Sequence, residues 1–318
     1  MAVPGGFGSG EPASLLTRLL IIKESCPILV SISLHYPCSS IDGINKGHQA
    51  HMVSLGTLSV IEFSGQDAGQ FLHNQLSADI AAIPAGGTGF ACCCNPAGRV
   101  LGLLLVTVQE GAIFAICASD LAATLQQWLN RFVIRADVKI AVRSDLLVAA
   151  HAQDQTHDQA FLLNTDTGLS YSIIPATDHR ADPQTDLLVA WHIDELKAGI
   201  VWLDSASSAQ FLPQMLGFES IGALNFNKGC YPGQEIIART RYLGNLKRRP
   251  MLLHAGNSPV VDVMEKIGVR SGEANYSAVV VDRAPGPEQD QYLFTVVRAG
   301  QDVTAEKITI REQVYDSI

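Results

Sequence analysis

At 318 residues the chain exceeds what one core usually fills, so two or three domains are expected. With 47% hydrophobic and 17% charged residues it cannot be a disordered or fibrous protein, and its net charge of −9 argues against unspecific nucleic-acid binding over the whole surface. Seven cysteines (26, 38, 92, 93, 94, 117 and 230) show no spacing typical of secreted disulfide scaffolds, which points to a reducing, cytoplasmic setting.

In chain order, the first fifty residues stand apart. Met1–Gly10 is glycine-rich, and Arg18, Lys23 and Glu24 break the apolar run ahead of Ile28–Leu34. Neither a signal peptide nor a span of about 20 apolar residues is expected from that pattern. Met52 is read as the natural start, and residues 1–51 as untranslated sequence or a disordered extension.

From Leu55 the pattern is regular. Leu58–Phe63 reads as a strand, and Asp67 opens a helix with Phe71, Leu72 and Leu76 at helical spacing. Pro84–Gly87 is a turn. Gly89–Cys94 and Val100–Gln109 read as strands joined by the hairpin signal Asn95-Pro96-Ala97-Gly98. Ile113–Ala118 is a further strand, Leu121–Phe132 an amphipathic helix, and Val138–Val142 and Leu146–Ala150 continue the alternation. Residues 151–190 are less periodic and read as a smaller α+β lobe. Trp191–Leu196 begins a helix ended by Gly199. After Arg249 come short β-rich runs, Met251–His254, Lys266–Val269, Ser277–Val281, Tyr292–Val297 and Lys307–Ile310, which suggest a small C-terminal β-barrel.

Cys92-Cys93-Cys94 invites a metal reading. Strand side chains alternate, so only Cys92 and Cys94 share a face, and no other Cys or His pair lies at ligand spacing. Buried strand filler is the better reading. The nine histidines are scattered singly and are given no role.

The segment Lys228–Arg249 is different. Cys230 sits on a glycine-flanked turn, and Pro232 suits the first position of a helix, whose free amides and positive dipole end would lie near the sulfur. Lys228 is two residues away, and a nearby cation favours thiolate over thiol. Six Lys/Arg (228, 239, 241, 247, 248 and 249) face one acid, Glu235, which leaves +5 in this stretch of an acidic chain. That pattern suits an anion held beside an activated sulfur. An isolated cysteine is also a common buried hydrophobe, and a basic run a common solvated face.

Lys228-Gly229-Cys230-Tyr231-Pro232-Gly233-Gln234-Glu235, followed by Arg239, resembles the signature of the YgfZ folate-binding proteins, which are related to the glycine-cleavage T-protein. Gln210-Phe211-Leu212-Pro213-Gln214 and the segment Phe71–Ile80 extend the resemblance over roughly residues 54–318. It implies an α+β, T-protein-like ring of three domains. The first spans 52–140 plus about 205–246 and carries the Cys motif; 141–204 forms a second lobe and 247–318 the barrel. It further implies tetrahydrofolate or a derivative as cofactor, and iron–sulfur enzymes, tRNA-modifying ones included, and assembly proteins as partners. No direct membrane contact is expected, and direct tRNA contact is left open.

The same resemblance makes Cys230 the reactive centre, as thiolate ligand, sulfur acceptor or redox thiol. Lys228, Gly229, Tyr231, Gly233, Gln234, Glu235 and Arg239 are the ligand-binding candidates around it. By position Trp191 resembles a pterin-lining tryptophan, though a core role fits it equally. Leu58 stands where the family has a second one. In T-protein aminomethyltransferases a pair of acids follows the hairpin; here those positions are Gly102 and Leu103, and neither can manage a proton. A folate-binding accessory protein is therefore expected, with an aminomethyltransferase or an interaction scaffold as the alternatives.

Overall fold

The computed structural model describes residues 52–151, 161–165, 168–177, 185–244, 246–298, 307–310 and 313–316. The expectation for residues 1–51, with Cys26 and Cys38, lies outside them. Mixed helices and strands form three antiparallel sheets.

The chain enters at β1 (Val53–Ser54) and then lays down β2 (Leu58–Ser64), α1 (Ala68–Gln75), β3 (Thr88–Cys94), β4 (Val100–Gln109), β5 (Ala112–Ala118), α2 (Ser119–Asn130) and β6 (Lys139–Val142). Five of these strands form the first sheet, in the order β3-β4-β5-β2-β6. Its strands β3, β4 and β5 are buried on both faces over most of their length, so they read as near-continuous apolar runs and not as alternation. All three cysteines of β3 are buried, Cys92 at 0%, Cys93 at 1% and Cys94 at 0% exposure. Burial pushes the Cys93 and Cys117 thiols up to about 12, so they stay neutral at pH 7. No group of ligands able to hold a metal occurs among the described residues.

Helix α2 buries Leu121, Ala122, Leu125 and Leu129, one stripe of an amphipathic helix. Gly102 on β4 lets it seat closely: a Cβ there would lie 2.9 Å from Leu125 Cδ1. Leu103 is 1% exposed. Gly102 and Leu103 are thus interior, packed by apolar neighbours.

The second sheet, in the order β1-β7-β9-β8, joins β1 to β7 (Leu146–His151), β9 (Ser170–Pro175) and β8 (Phe161–Asn164). β1 therefore pairs with the second lobe, ahead of the first sheet in sequence. Helix α3 (Thr185–Lys197) starts six residues before Trp191 and stops ahead of Gly199, which takes φ +77°. It is pinned by a buried carboxylate: Tyr171 Oη and Trp202 Nε1 both donate to Glu195 Oε1, at 2.8 and 2.9 Å. Burial raises the Glu195 carboxyl above its usual range.

The C-terminal strands are β10 (Arg249–Ala255), β11 (Lys266–Ser271), β12 (Ala274–Pro285), β13 (Gln291–Val297), β14 (Lys307–Ile310) and β15 (Gln313–Asp316). They form one six-stranded sheet in the order β10-β13-β12-β11-β14-β15, with a register shift between Val280 and Asp282. No pairing of β10 with β15 closes it among the described residues, so the expected barrel is seen as a bent, open sheet.

Helix α3 docks on this sheet through His192, whose Nε2 lies 3.0 Å from Asp282 Oδ2. Burial alone would lower the imidazole pKa, but the bond to Asp282 outweighs it and the value lies above 6.5. A base raised in the folded state adds stability that is complete below its unfolded value and fades as pH climbs through the folded one. His192→Asn is accordingly expected to be less stable than wild type in urea melts at about pH 6 and equal to it at about pH 9. A stability gap that persists unchanged at the higher pH would contradict this reading.

Candidate functional site

The Cys motif is built on a tight turn. Gln234 N donates to Tyr231 O at 3.2 Å, and Gly233 has φ 82° and ψ −1°. Proline at the second position and a left-handed glycine at the third make Tyr231-Pro232-Gly233-Gln234 a type II turn. Helix α4 (Gln234–Tyr242) therefore begins two residues after Pro232, because a type II turn needs the proline ahead of a left-handed residue that no helix admits. Gly233 also makes the closest approach in the motif. A Cβ on it would stand 2.4 Å from Asn95 O and 2.7 Å from Gly98 Cα. The tip of the β3–β4 hairpin thus rests on the turn itself.

Further bonds tie the segment to the first sheet. Val100 N donates to Phe211 O at 2.9 Å and Ala209 N to Val100 O at 2.7 Å. Gln214 Nε2 donates to Ile237 O on α4 at 2.7 Å. Ser77 Oγ donates to Ala223 O at 2.6 Å and accepts from Cys92 N at 2.8 Å. Thus the Gln210–Gln214 segment earns its place in the pattern by holding α4 and the start of β4 together.

Lys228 points inward. Its ammonium donates to His73 O and, at 2.5 Å, to Leu76 O, both in the last turn or cap of α1, and it lies 5.0 Å from the Tyr231 ring centroid. A cation at a helix C-terminus meets free carbonyls and the negative dipole end together. Burial lowers its pKa to about 8, against the opposing charge of Asp79. Lys228 is therefore an anchor of the loop to α1, which corrects the expectation that its charge is directed at the sulfur.

Cys230 itself is exposed, as is Gly229. Tyr231 is 6% exposed, and its hydroxyl has no hydrogen-bond partner among the described residues. Burial, with the neighbouring Cys94 and Cys92 thiols, pushes its phenol well above the usual range. Gln234 is half-buried at the start of α4; Glu235 and Arg239 are exposed on it. Glu235 lies in the first turn, where the helix dipole favours an acid. Arg241, in the same last turn as Arg239, pairs with Glu219 and stacks 4.4 Å from the Phe226 ring centroid.

Trp191 is placed on a separate element, α3. It is 9% exposed and meets Tyr171 edge-on, with centroids 5.3 Å apart and planes at 89°. Its Nε1 is buried without a partner among the described residues. Trp202 extends this cluster to Phe90 of β3, 6.3 Å between centroids.

Sequence reasoning missed three groups. Glu195 and Trp202 carry no motif, and only the fold shows them meeting Tyr171. His73 was passed over as an isolated histidine, yet its Nδ1 lies 3.1 Å from Asp79 Oδ1. The spacing of six residues across a helix end gives no periodic signal, though both fall inside the Phe71–Ile80 segment that carries part of the resemblance.

No family model matches the chain. Among curated proteins, the tRNA-modifying protein YgfZ of Klebsiella pneumoniae (strain 342) is 25% identical over 277 residues, covering 77% of this chain and 84% of the relative. YgfZ of Yersinia enterocolitica is 28% identical over 229 residues, covering 62% and 68%. The chain is similar in sequence to the YgfZ proteins over most of its length. In fold it is similar to the glycine cleavage system aminomethyltransferase T of Bartonella henselae, with a TM-score of 0.63 over 96% of each chain at 13% identity. That likeness, with mixed helices and strands, gives this YgfZ relative a T-protein-like architecture. No helix among its described residues is long and apolar enough to cross a membrane.

Proposed function

We propose that this chain is a folate-binding accessory protein for iron–sulfur cluster assembly or repair, supporting iron–sulfur enzymes that include tRNA-modifying ones. The observation that carries it is the Cys motif: an exposed Cys230 on a loop anchored by Lys228, above a buried Tyr231 whose hydroxyl is unpaired among the described residues. The names of the relatives and the T-protein-like fold support the same reading.

The residues fit a folate. A pterin is flat, aromatic and polar at its edges, and the chain offers an indole and a phenol whose polar atoms are buried without partners among the described residues. Buried polar atoms are normally bonded, so each leaves a place that the polar edge of a ligand could take. Trp191 and Tyr231 would hold the ring system, and the exposed Arg239 would meet the carboxylates of its tail. Bound tetrahydrofolate supplies one-carbon chemistry or reducing equivalents. The chain's own part is to bind and orient it and to present Cys230. Gly102 and Leu103 supply no acid, so aminomethyl transfer is disfavoured relative to the accessory role.

Tyr231→Phe separates ligand from structure. An unpaired buried hydroxyl contributes nothing to stability, so the variant is expected to melt at or slightly above the wild-type temperature. In a tetrahydrofolate titration followed by calorimetry its affinity is expected to fall about 5- to 10-fold, the loss of roughly one hydrogen bond of 1–1.5 kcal/mol. Trp191→Phe, which removes the indole N–H, should act in the same direction. Unchanged affinity in both variants would remove these residues from the site.

A further inference from the structure

Helix α4 has two unlike faces. At about 100° per residue, Glu235, Ile236, Arg239, Tyr242 and the capping Leu243 fall on one face about 120° wide, and the buried Ile237 points the opposite way. The outer face is apolar where a surface helix is normally polar. Six large apolar side chains are exposed among the described residues, and three of them, Ile236, Tyr242 and Leu243, fall within these eight positions. Leu243 is 83% exposed and Tyr242 65%. Large apolar groups scattered singly over a surface mean nothing, but a gathering of them marks a place of contact.

These groups are held ready. The Tyr242 ring meets Phe226 edge-on, with centroids 6.1 Å apart and planes at 75°. The Arg241 guanidinium lies 4.4 Å from the Phe226 centroid and 5.9 Å from that of Tyr242, and it pairs with Glu219. Leu243 N donates to Arg239 O at 2.9 Å, which carries the helical bonding through to the cap. An anchor fixed in advance gives up little freedom when a partner arrives. Cations border the apolar groups: Arg239 is exposed on the face itself, and Lys247 and Arg248, both exposed, follow the helix.

We propose that the outer face of α4 is a docking surface for a partner protein that presents an apolar residue within an acidic rim. This rests on the reading of the chain as an accessory to iron–sulfur enzymes, and it assigns the surface that receives such a client. An apolar centre with a tyrosine and an arginine, inside a charged border, is the composition of a protein–protein contact. Single-stranded RNA would ask for stacking aromatics, and Leu243, the most exposed of the three apolar groups, offers a base no such platform. The border is positive although the chain carries −9 overall, so the complementary surface is negative. The position suits the chemistry proposed for the loop. Helix α4 is about 14 Å long, and a standard interface of about 800 Å² per partner spans roughly 30 Å. A client seated on Tyr242 and Leu243 therefore reaches the turn that exposes Cys230.

The test pairs the full-length protein with an iron–sulfur tRNA-modifying enzyme whose activity in cells is lost when this chain is absent. Binding of the two purified proteins is followed by biolayer interferometry. Leu243→Ser, and separately the double variant Lys247→Glu with Arg248→Glu, are each expected to weaken binding about tenfold. Raising the salt from about 50 to 300 mM should weaken the wild-type complex in the same direction. Cys230→Ala is expected to bind as wild type does, because the thiol lies outside the docking face. All four positions are exposed, so thermal melts of the variants should match wild type. Unchanged affinity in both face variants, or no binding of the enzyme by wild type, overturns the inference and leaves the accessory role standing. Binding of purified tRNA that is lost in the same variants would give the face to RNA and overturn it equally. If no iron–sulfur enzyme loses activity in cells without this chain, the accessory reading itself fails.

Discussion

Gly233→Ala is expected to destabilise the protein by about 3–5 kcal/mol and to free the Cys loop from the hairpin. Two independent costs converge on this position. A left-handed residue with a Cβ costs about 1–3 kcal/mol. The added carbon would also stand 2.4 Å from a backbone oxygen and 2.7 Å from Gly98 Cα. Backbone cannot rotate out of the way as a side-chain end can, so hairpin and turn must part. Gly98 is under the same constraint from the other side, with φ +73° and Ile236 Cβ 3.1 Å from its would-be Cβ. Chemical denaturation measures the loss, and proteolysis within 228–244 should accelerate with it. A loss below about 1 kcal/mol would mean that the turn is not the rigid element described here.

Lys228→Met is expected to cost about 2–3 kcal/mol, within the range for charge-assisted hydrogen bonds. The methionine keeps the apolar stem over Tyr231 but leaves two carbonyls at the end of α1 without the cation that meets them. It also unties the Cys loop from the end of α1. Urea unfolding of the purified variant measures the cost, and hydrogen exchange should show faster opening of the last turn of α1. Lys228→Arg is not expected to restore it, because a planar fork cannot replace a compact ammonium between two carbonyls. Wild-type stability in the methionine variant would return Lys228 to the solvent-facing role that the sequence pattern suggests.

The sheets and helices were readable where burial leaves a one-dimensional trace. The hairpin at Asn95–Gly98, the amphipathic α2 and β14 at Lys307–Ile310 lie where periodicity and turn chemistry place them. The less periodic stretch around β8 and β9 and the short β15 leave weaker traces, since strands of four to six residues carry few periods. The Cys motif was legible as a turn, and its exposure agrees with a thiol meant to be reached. What the pattern could not supply is where long side chains go. Lys228 is two residues from Cys230 in sequence, yet its ammonium reaches α1 because free helix-end carbonyls are the nearest strong acceptors. His73 meets Gly229 only after about 150 intervening residues have folded back, a juxtaposition that no local signal encodes. Gly102 and Leu103 lie in the core, where Gly102 packs against Leu125, a placement that a comparison of residue types alone does not give.

Replacement of Cys230 by alanine tests the central claim most directly, with the activity of an iron–sulfur tRNA-modifying enzyme measured in cells that carry the variant in place of this chain. Cys230 is exposed and supports no packing, so the purified variant should melt within about 0.5 kcal/mol of wild type. The enzyme's activity should fall to the level seen when the chain is absent. Full activity in cells expressing a folded Cys230→Ala protein would contradict the account.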